Sequence, residues 1–233
     1  MTTRAFRVTL PNLSRPVRDI LPVPASFMAD RDPNSEPDPN SGGELLRVPA
    51  GSFLAAWPDL RDPNFAHSLV LICQHDERGA YGLVVNRLLG LSVADLVPDH
   101  PLLGDLNTQT YLGGPVDHSQ LQFLHRLPDR ITGGVQVAEG LYLGGEVEGL
   151  AAELVRQARP PGEDPADLRL VVGYSGWGAG QLEAELEEGA WVPVPFDPRL
   201  LFEGQGERLW RSAVQSVEGG EFLGNTAPEV DWN

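Results

Sequence analysis

The chain has 233 residues, with 33 acidic against 17 basic side chains, a formal charge of −16, 26 glycines, 21 prolines and one cysteine. Every basic residue is arginine, which excludes a phosphate-loop lysine, a Schiff-base lysine and a lysine general base. Cys73 has no partner for an internal disulfide, and so acidic a body repels the phosphate backbone of nucleic acid, so nucleic acid is not expected as a partner.

Residues 1–43 hold seven of the 21 prolines and end in a run of Asp, Asn, Ser, Pro and Gly, which reads as a disordered Pro-rich extension. Its first 30 residues carry Arg4, Arg7, Arg15 and Arg18 against Asp19 and Asp30, a balance of +2, which leaves −18 on the remainder. Prolines interrupt any signal-peptide core, and no apolar stretch approaches the roughly 20 residues a membrane-spanning helix needs. A cytoplasmic location and no membrane partner are therefore expected. The folded body is expected over 44–218, followed by a polar tail at 219–233.

Within the body, short apolar runs alternate with turn signals. Strands are predicted over 51–57, 67–75, 80–86, 109–112, 120–125, 134–142, 169–174 and 191–195, with Asp76–Gly79 turning the second into the third as a hairpin. Gly82 inside a strand marks a bulge or a close backbone contact. Ser92 and Asp95 form a small capping box. Helical spacing appears over 146–158, 181–188 and 207–217. This mixture of hairpins and helices is α+β and lacks regular βαβ alternation.

The densest signal is Gly173-Tyr174-Ser175-Gly176-Trp177-Gly178-Ala179-Gly180-Gln181, which reads as a strand-to-helix corner needing unusual backbone angles or close approach. It fails the dinucleotide fingerprint, because the third glycine falls on Gln181 or Glu183. It also fails the nucleophile-elbow pattern, because Trp177 stands where the last glycine belongs. Its strand–turn–helix context still makes Ser175 a candidate nucleophile, with His75 as the alternative reactive group. Five scattered histidines and one cysteine give no metal-ligand spacing, and no cofactor motif is present. Asn64 and Asn86 suit turn capping, although Asn86 in an apolar strand could also turn its amide into a pocket.

Four ordered segments resemble one family: Asp62-Pro63-Asn64-Phe65; His75 with Gly79 through Arg87; Gly113-Gly114-Pro115-Val116; and Gly173 through Leu186 followed by Trp191. Over about residues 45–218 the chain is similar to the bacterial YqgE/AlgH family of largely uncharacterised proteins. The resemblance implies one mixed α/β domain whose bent sheet closes into a pseudo-barrel flanked by helices. It implies no established activity, and the family name carries a proposed role in regulating alginate synthesis. Tyr81 stands where the family usually has Met, Leu88 replaces a frequent Pro, and Ser175 sits where Ala is common, which weighs against an obligatory serine nucleophile.

The leading expectation is a non-enzymatic cytosolic protein that binds a small ligand or a protein partner on a surface comprising Asn64, His75, Asn86, Tyr174, Ser175, Trp177 and Gln181. The alternatives are a hydrolase-like enzyme using Ser175 or His75, and a transcriptional role exerted indirectly.

Overall fold

The computed structural model describes residues 19–20, 48–158, 165–202, 204 and 206–217. The expected extension and tail lie outside them, apart from Asp19–Ile20. Strands β1 (Asp19–Ile20), β2 (Phe53–Ala56), β3 (Leu69–Asp76), β4 (Gly79–Val84) and β5 (Leu88–Ser92) precede helix α1 (Val93–Leu96). Then come β6 (Gln109–Leu112), β7 (Val116–His125), β8 (Val135–Ala138), β9 (Leu141–Leu143) and α2 (Val147–Arg156). The remainder is β10 (Leu168–Gly178), α3 (Gln181–Glu187), β11 (Trp191–Val194), α4 (Pro198–Phe202) and α5 (Gly206–Gln215).

All strands join one mostly antiparallel sheet in the order β11-β2-β3-β4-β10-β7-β9-β8, with β6 and β5 branching from β10 and β1 added to β7. Two pairings are parallel, β10 with β6 and β1 with β7. The fold is therefore α+β with few helices. The sheet bends enough to bring Gly51 against β8, where an added Cβ would meet the Ala138 Cβ at 3.0 Å. It does not close, because β11 and β8 end the strand path without pairing to each other. The pseudo-barrel expected from the resemblance is a curled, open sheet.

Apolar periodicity explains which surfaces are covered. Leu209, Trp210, Ala213 and Val214 line one side of α5 and join Phe53, Leu71, Tyr81 and Leu83 in the largest core cluster. Trp210 is fully buried and donates its indole N–H to Ala56 O at 2.8 Å, so its polar atom enters the core satisfied. A second cluster gathers α1 and α2 against β6, β7 and β10. A third lies under α3 and includes Val70, Ile72, Ala80, Trp177, Leu182 and Trp191.

The Ser92–Asp95 capping box forms as its spacing implies, with Ser92 Oγ accepting from Asp95 N at 3.2 Å and Asp95 accepting from Ser92 N at 2.8 Å. Gly82 also behaves as read: an added Cβ would meet Val70 Cγ1 at 2.8 Å, and the register of β3 against β4 shifts opposite it. The single strand predicted over 134–142 is instead the hairpin β8–β9, turning at Gly140, whose φ is +67°. β5 and α4 have no counterpart among the predicted elements. β10 also runs four residues beyond its predicted end at Tyr174, so most of the glycine motif is strand and the corner comes only at residues 179–180.

Candidate functional site

β10 carries the motif, and its side chains alternate between two faces of the sheet. Ser175 and Trp177 face the side covered by α3, in register with Gly82 and Ala80 of β4. Tyr174, Gly176 and Gly178 face the other side, with Gly176 opposite Tyr81 and Gly178 opposite Gly79.

Under α3 the polar groups satisfy one another. Glu185 Oε2 accepts the indole N–H of Trp177 at 2.9 Å and that of Trp191 at 2.8 Å. Gln181 donates to Glu185 Oε1 at 3.0 Å and accepts from Gly178 N at 3.1 Å, tying the end of β10 to the start of the helix. The indoles meet edge to face with centroids 6.0 Å apart, and Phe65 stacks on Trp177 at 6.1 Å and edges onto Trp191 at 5.4 Å. Three of the four resembling segments thus converge here. Gly180 supplies the left-handed residue, φ +74°, that starts α3 without side-chain strain.

His75 completes this knot. Its Nδ1 donates to Val48 O at 2.9 Å, and its Nε2 lies 2.9 Å from Glu183 Oε1. Both ring nitrogens are engaged, so neither is left to take a proton from a substrate. Ser175 is fully buried and its hydroxyl donates to Gly113 O at 3.1 Å, so it does not meet solvent. Asn86 is buried at the opposite end of the sheet. It accepts from Leu69 N at 2.8 Å and donates to His67 O at 2.9 Å and Gly206 O at 3.0 Å, joining β3 to α5. Asn64 is exposed in a turn whose carbonyls Arg87 grips, at 2.8 Å for Asn64 O and 3.2 Å for Pro63 O.

The seven residues therefore separate. His75, Trp177 and Gln181 belong to the knot beneath α3, with Asn64 on the turn beside it. Ser175 is internal, Asn86 is distant, and Tyr174 alone lies on the open face. Its ring is half-buried, 5.0 Å from that of Tyr81, and burial together with the Asp117 carboxylate raises its phenol above the ordinary range. Among the described residues its hydroxyl has no hydrogen-bond partner. Tyr81 beneath it is fully buried, donates to Gln122 Oε1, and has its phenol pushed far up by burial.

Beyond Tyr174 the open face loses its side chains. Among the described residues, a Cβ on Gly176 would meet nothing closer than the Tyr174 ring at 3.5 Å, and one on Gly178 nothing closer than Gln181 Oε1 at 3.9 Å. Neither glycine has a left-handed φ. Gly173 differs, with φ +71° and His118 Cδ2 at 2.8 Å from the position of its missing Cβ. Two of the motif's glycines are thus unexplained by the fold, a distinction that spacing alone does not make. The roles of Glu183, Glu185 and Phe65 were also missed, although the i,i+4 spacing of Gln181 and Glu185 was there to read.

A sequence model described as AlgH-like matches residues 53–221. A UPF0301 protein of Chlorobium luteolum is 36% identical over 188 residues, covering 80% of this chain and 95% of its own length. A UPF0301 protein of Vibrio vulnificus is 34% identical over 173 residues, covering 71% of this chain and 89% of its own. The solution structure of the AlgH protein from Pseudomonas aeruginosa superposes with a TM-score of 0.55 at 34% identity, covering 72% of this chain and 88% of that one. A crystal structure from Corynebacterium diphtheriae gives the same TM-score at 23% identity, covering 73% and 88%, a likeness of fold alone. With motifs, fold and sequence match in agreement, the chain belongs to the AlgH-like family.

Proposed function

We propose that the protein is a non-enzymatic, cytoplasmic binding protein, and that a small ligand or a protein partner lies on the open face of β10 formed by Tyr174, Gly176 and Gly178. One observation carries the reading. Glycine within a strand costs roughly 0.5–1 kcal/mol relative to a residue with a side chain, and is kept where a turn, a bulge or a close approach requires it. Gly176 and Gly178 have neither a left-handed backbone nor, among the described residues, a crowded Cβ position, so we read the close approach they permit as that of a bound group. The flat backbone beside a half-buried tyrosine with an unbonded hydroxyl suits a planar group or an extended segment. A non-enzymatic role is supported by the engaged nitrogens of His75 and the buried hydroxyl of Ser175. A cytoplasmic setting accords with the lone buried Cys73, and among the described residues no helix is long and apolar enough to cross a membrane. The charge of −16 disfavours nucleic acid as the occupant.

The test is a thermal-shift panel of nucleotides, sugars and common metabolites on wild type and on Gly176→Val. A ligand at about 100 times its Kd adds about 2.7 kcal/mol of stability, which is readily seen. The expected result is a saturable shift in wild type that the added isopropyl group removes. A shift of equal size in the variant would show that binding takes place elsewhere.

A further inference from the structure

Helices α4 and α5 border a groove of about 620 Å³ that shares no lining residue with the Tyr174 face. Its volume falls in the roughly 300–1,000 Å³ range of small-molecule sites. Leu200 and Leu209 supply its apolar lining, and Asp197, Arg199, Arg208 and Ser212 its polar lining. The connection between the two helices is anchored to the sheet. The buried Arg169 donates to Gly204 O at 3.1 Å, and Asn86 donates to Gly206 O at 3.0 Å. The groove is therefore held in shape by groups that do not themselves need a ligand.

The two cations of the groove differ in what they already hold. Arg199 is fixed by Asp197, with Nη2 donating to Oδ2 at 2.8 Å and Nε to Oδ1 at 3.1 Å. Arg208 has Gly204 at i−4 and Ser212 at i+4, so no carboxylate lies four residues from it on either side. Arg211, by contrast, is paired with Glu207 at 3.0 Å. Among the described residues Arg208 has no hydrogen-bond or ion-pair partner, and neither has the Ser212 hydroxyl. Two arginines against one aspartate leave the described lining with a surplus of one positive charge, in a chain of −16. A guanidinium grips a carboxylate through two parallel donors, and a serine hydroxyl one turn away can add a third. One surplus charge matches a monoanion better than a phosphate dianion, and the two leucines suit apolar carbon behind the charged end.

We propose that the α4–α5 groove binds a small amphiphilic monocarboxylate, with its carboxylate on Arg208 and Ser212 and its hydrocarbon chain against Leu200 and Leu209. This site is separate from the Tyr174–Gly178 face and does not rest on what that face binds.

Isothermal titration calorimetry of the full chain with sodium octanoate tests this, on wild type, Arg208→Gln, Ser212→Ala and Gly176→Val. Saturable binding is expected in wild type. It should weaken about ten-fold in Arg208→Gln and about three-fold in Ser212→Ala, the effects of losing a charged and a neutral hydrogen bond. Gly176→Val should bind as wild type does. Arg208 and Ser212 are exposed, so an unchanged Tm is expected in both variants and separates a lost contact from a damaged fold. 1-Octanol, which carries the chain without the charge, should bind about ten-fold more weakly than octanoate. No saturable binding in wild type, equal affinity in Arg208→Gln, or equal affinity for octanol would each overturn the proposal. Octanoate binding lost in Gly176→Val but kept in Arg208→Gln would also overturn it, while supporting the Tyr174 face.

Discussion

The two faces of β10 are built from adjacent residues and have opposite characters. On the α3 side, Trp177 is 5% exposed and Ser175 fully buried, and both polar groups are bonded within the molecule. On the other side, among the described residues, Tyr174 has no partner for its hydroxyl, and Cβ atoms on Gly176 and Gly178 would meet only the Tyr174 ring at 3.5 Å and Gln181 Oε1 at 3.9 Å. The contrast shows that one dense motif can serve two purposes divided by the period-2 alternation of a strand. Its conspicuous aromatic and acidic members hold the fold together. Its inconspicuous glycines, Gly176 and Gly178, are ones that no contact among the described residues requires.

The largest predicted effect lies on the closed face. Trp177→Ala removes a buried indole from the Phe65–Trp191 cluster and is expected to cost about 3–5 kcal/mol. That corresponds to a fall in Tm on the order of 10 °C for a domain of this size, measured by thermal denaturation. Near-native stability in this variant would erase the distinction between the faces. Glu185→Ala leaves two indole N–H groups without an acceptor and should cost about 2–4 kcal/mol in urea unfolding, with Glu185→Gln recovering part of the loss. Asn86→Ala, at the far end of the sheet, orphans Leu69 N and the His67 carbonyl and removes a second donor from the Gly206 carbonyl. It should cost about 1–3 kcal/mol and leave binding at the Tyr174 face intact.

A smaller, pH-dependent effect provides a control away from both faces. His125 is fully buried, with Nε2 donating to Gly144 O at 3.0 Å and Nδ1 accepting from Leu127 N at 3.1 Å, so no acceptor awaits a second proton. Burial draws its pKa below the ordinary value, the Gly144 bond opposing only in part. The unfolded chain therefore binds the proton more readily than the folded one. This contribution to stability is complete above about pH 6.5 and is lost as pH falls through the depressed folded value. Urea midpoints at pH 7.5 and 5.5 should differ more in wild type than in His125→Phe, and equal differences would contradict the assignment.

Much of the framework was legible because it rests on local rules. The Ser92–Asp95 box, the Asp76–Gly79 hairpin turn and the amphipathic spacing of α5 each need only a few neighbouring residues to be read. The β8–β9 hairpin runs as one strand in the sequence reading because apolar residues alternate on both sides of its two-residue turn, Glu139-Gly140, which is itself a turn signal. The extent of β10 was missed because glycines that normally interrupt strands lie inside it, paired to β4. The site was legible as a motif but not as a geometry. What engages each nitrogen of His75, which face Ser175 takes, and whether a glycine is crowded all depend on β3, β4 and α3, elements distant in sequence. Asn86 was grouped with the motif for the same reason: only the folded chain shows its amide committed to β3 and α5.

The central claim, that Gly176 serves something other than the fold, is tested most directly by equilibrium unfolding of Gly176→Val. The account predicts stability equal to wild type or higher by up to about 1 kcal/mol, since a Cβ there meets only the Tyr174 ring, at an ordinary contact distance of 3.5 Å, on a regular strand. A loss of about 1 kcal/mol or more would mark Gly176 as a structural glycine and remove the observation on which the proposed binding face rests.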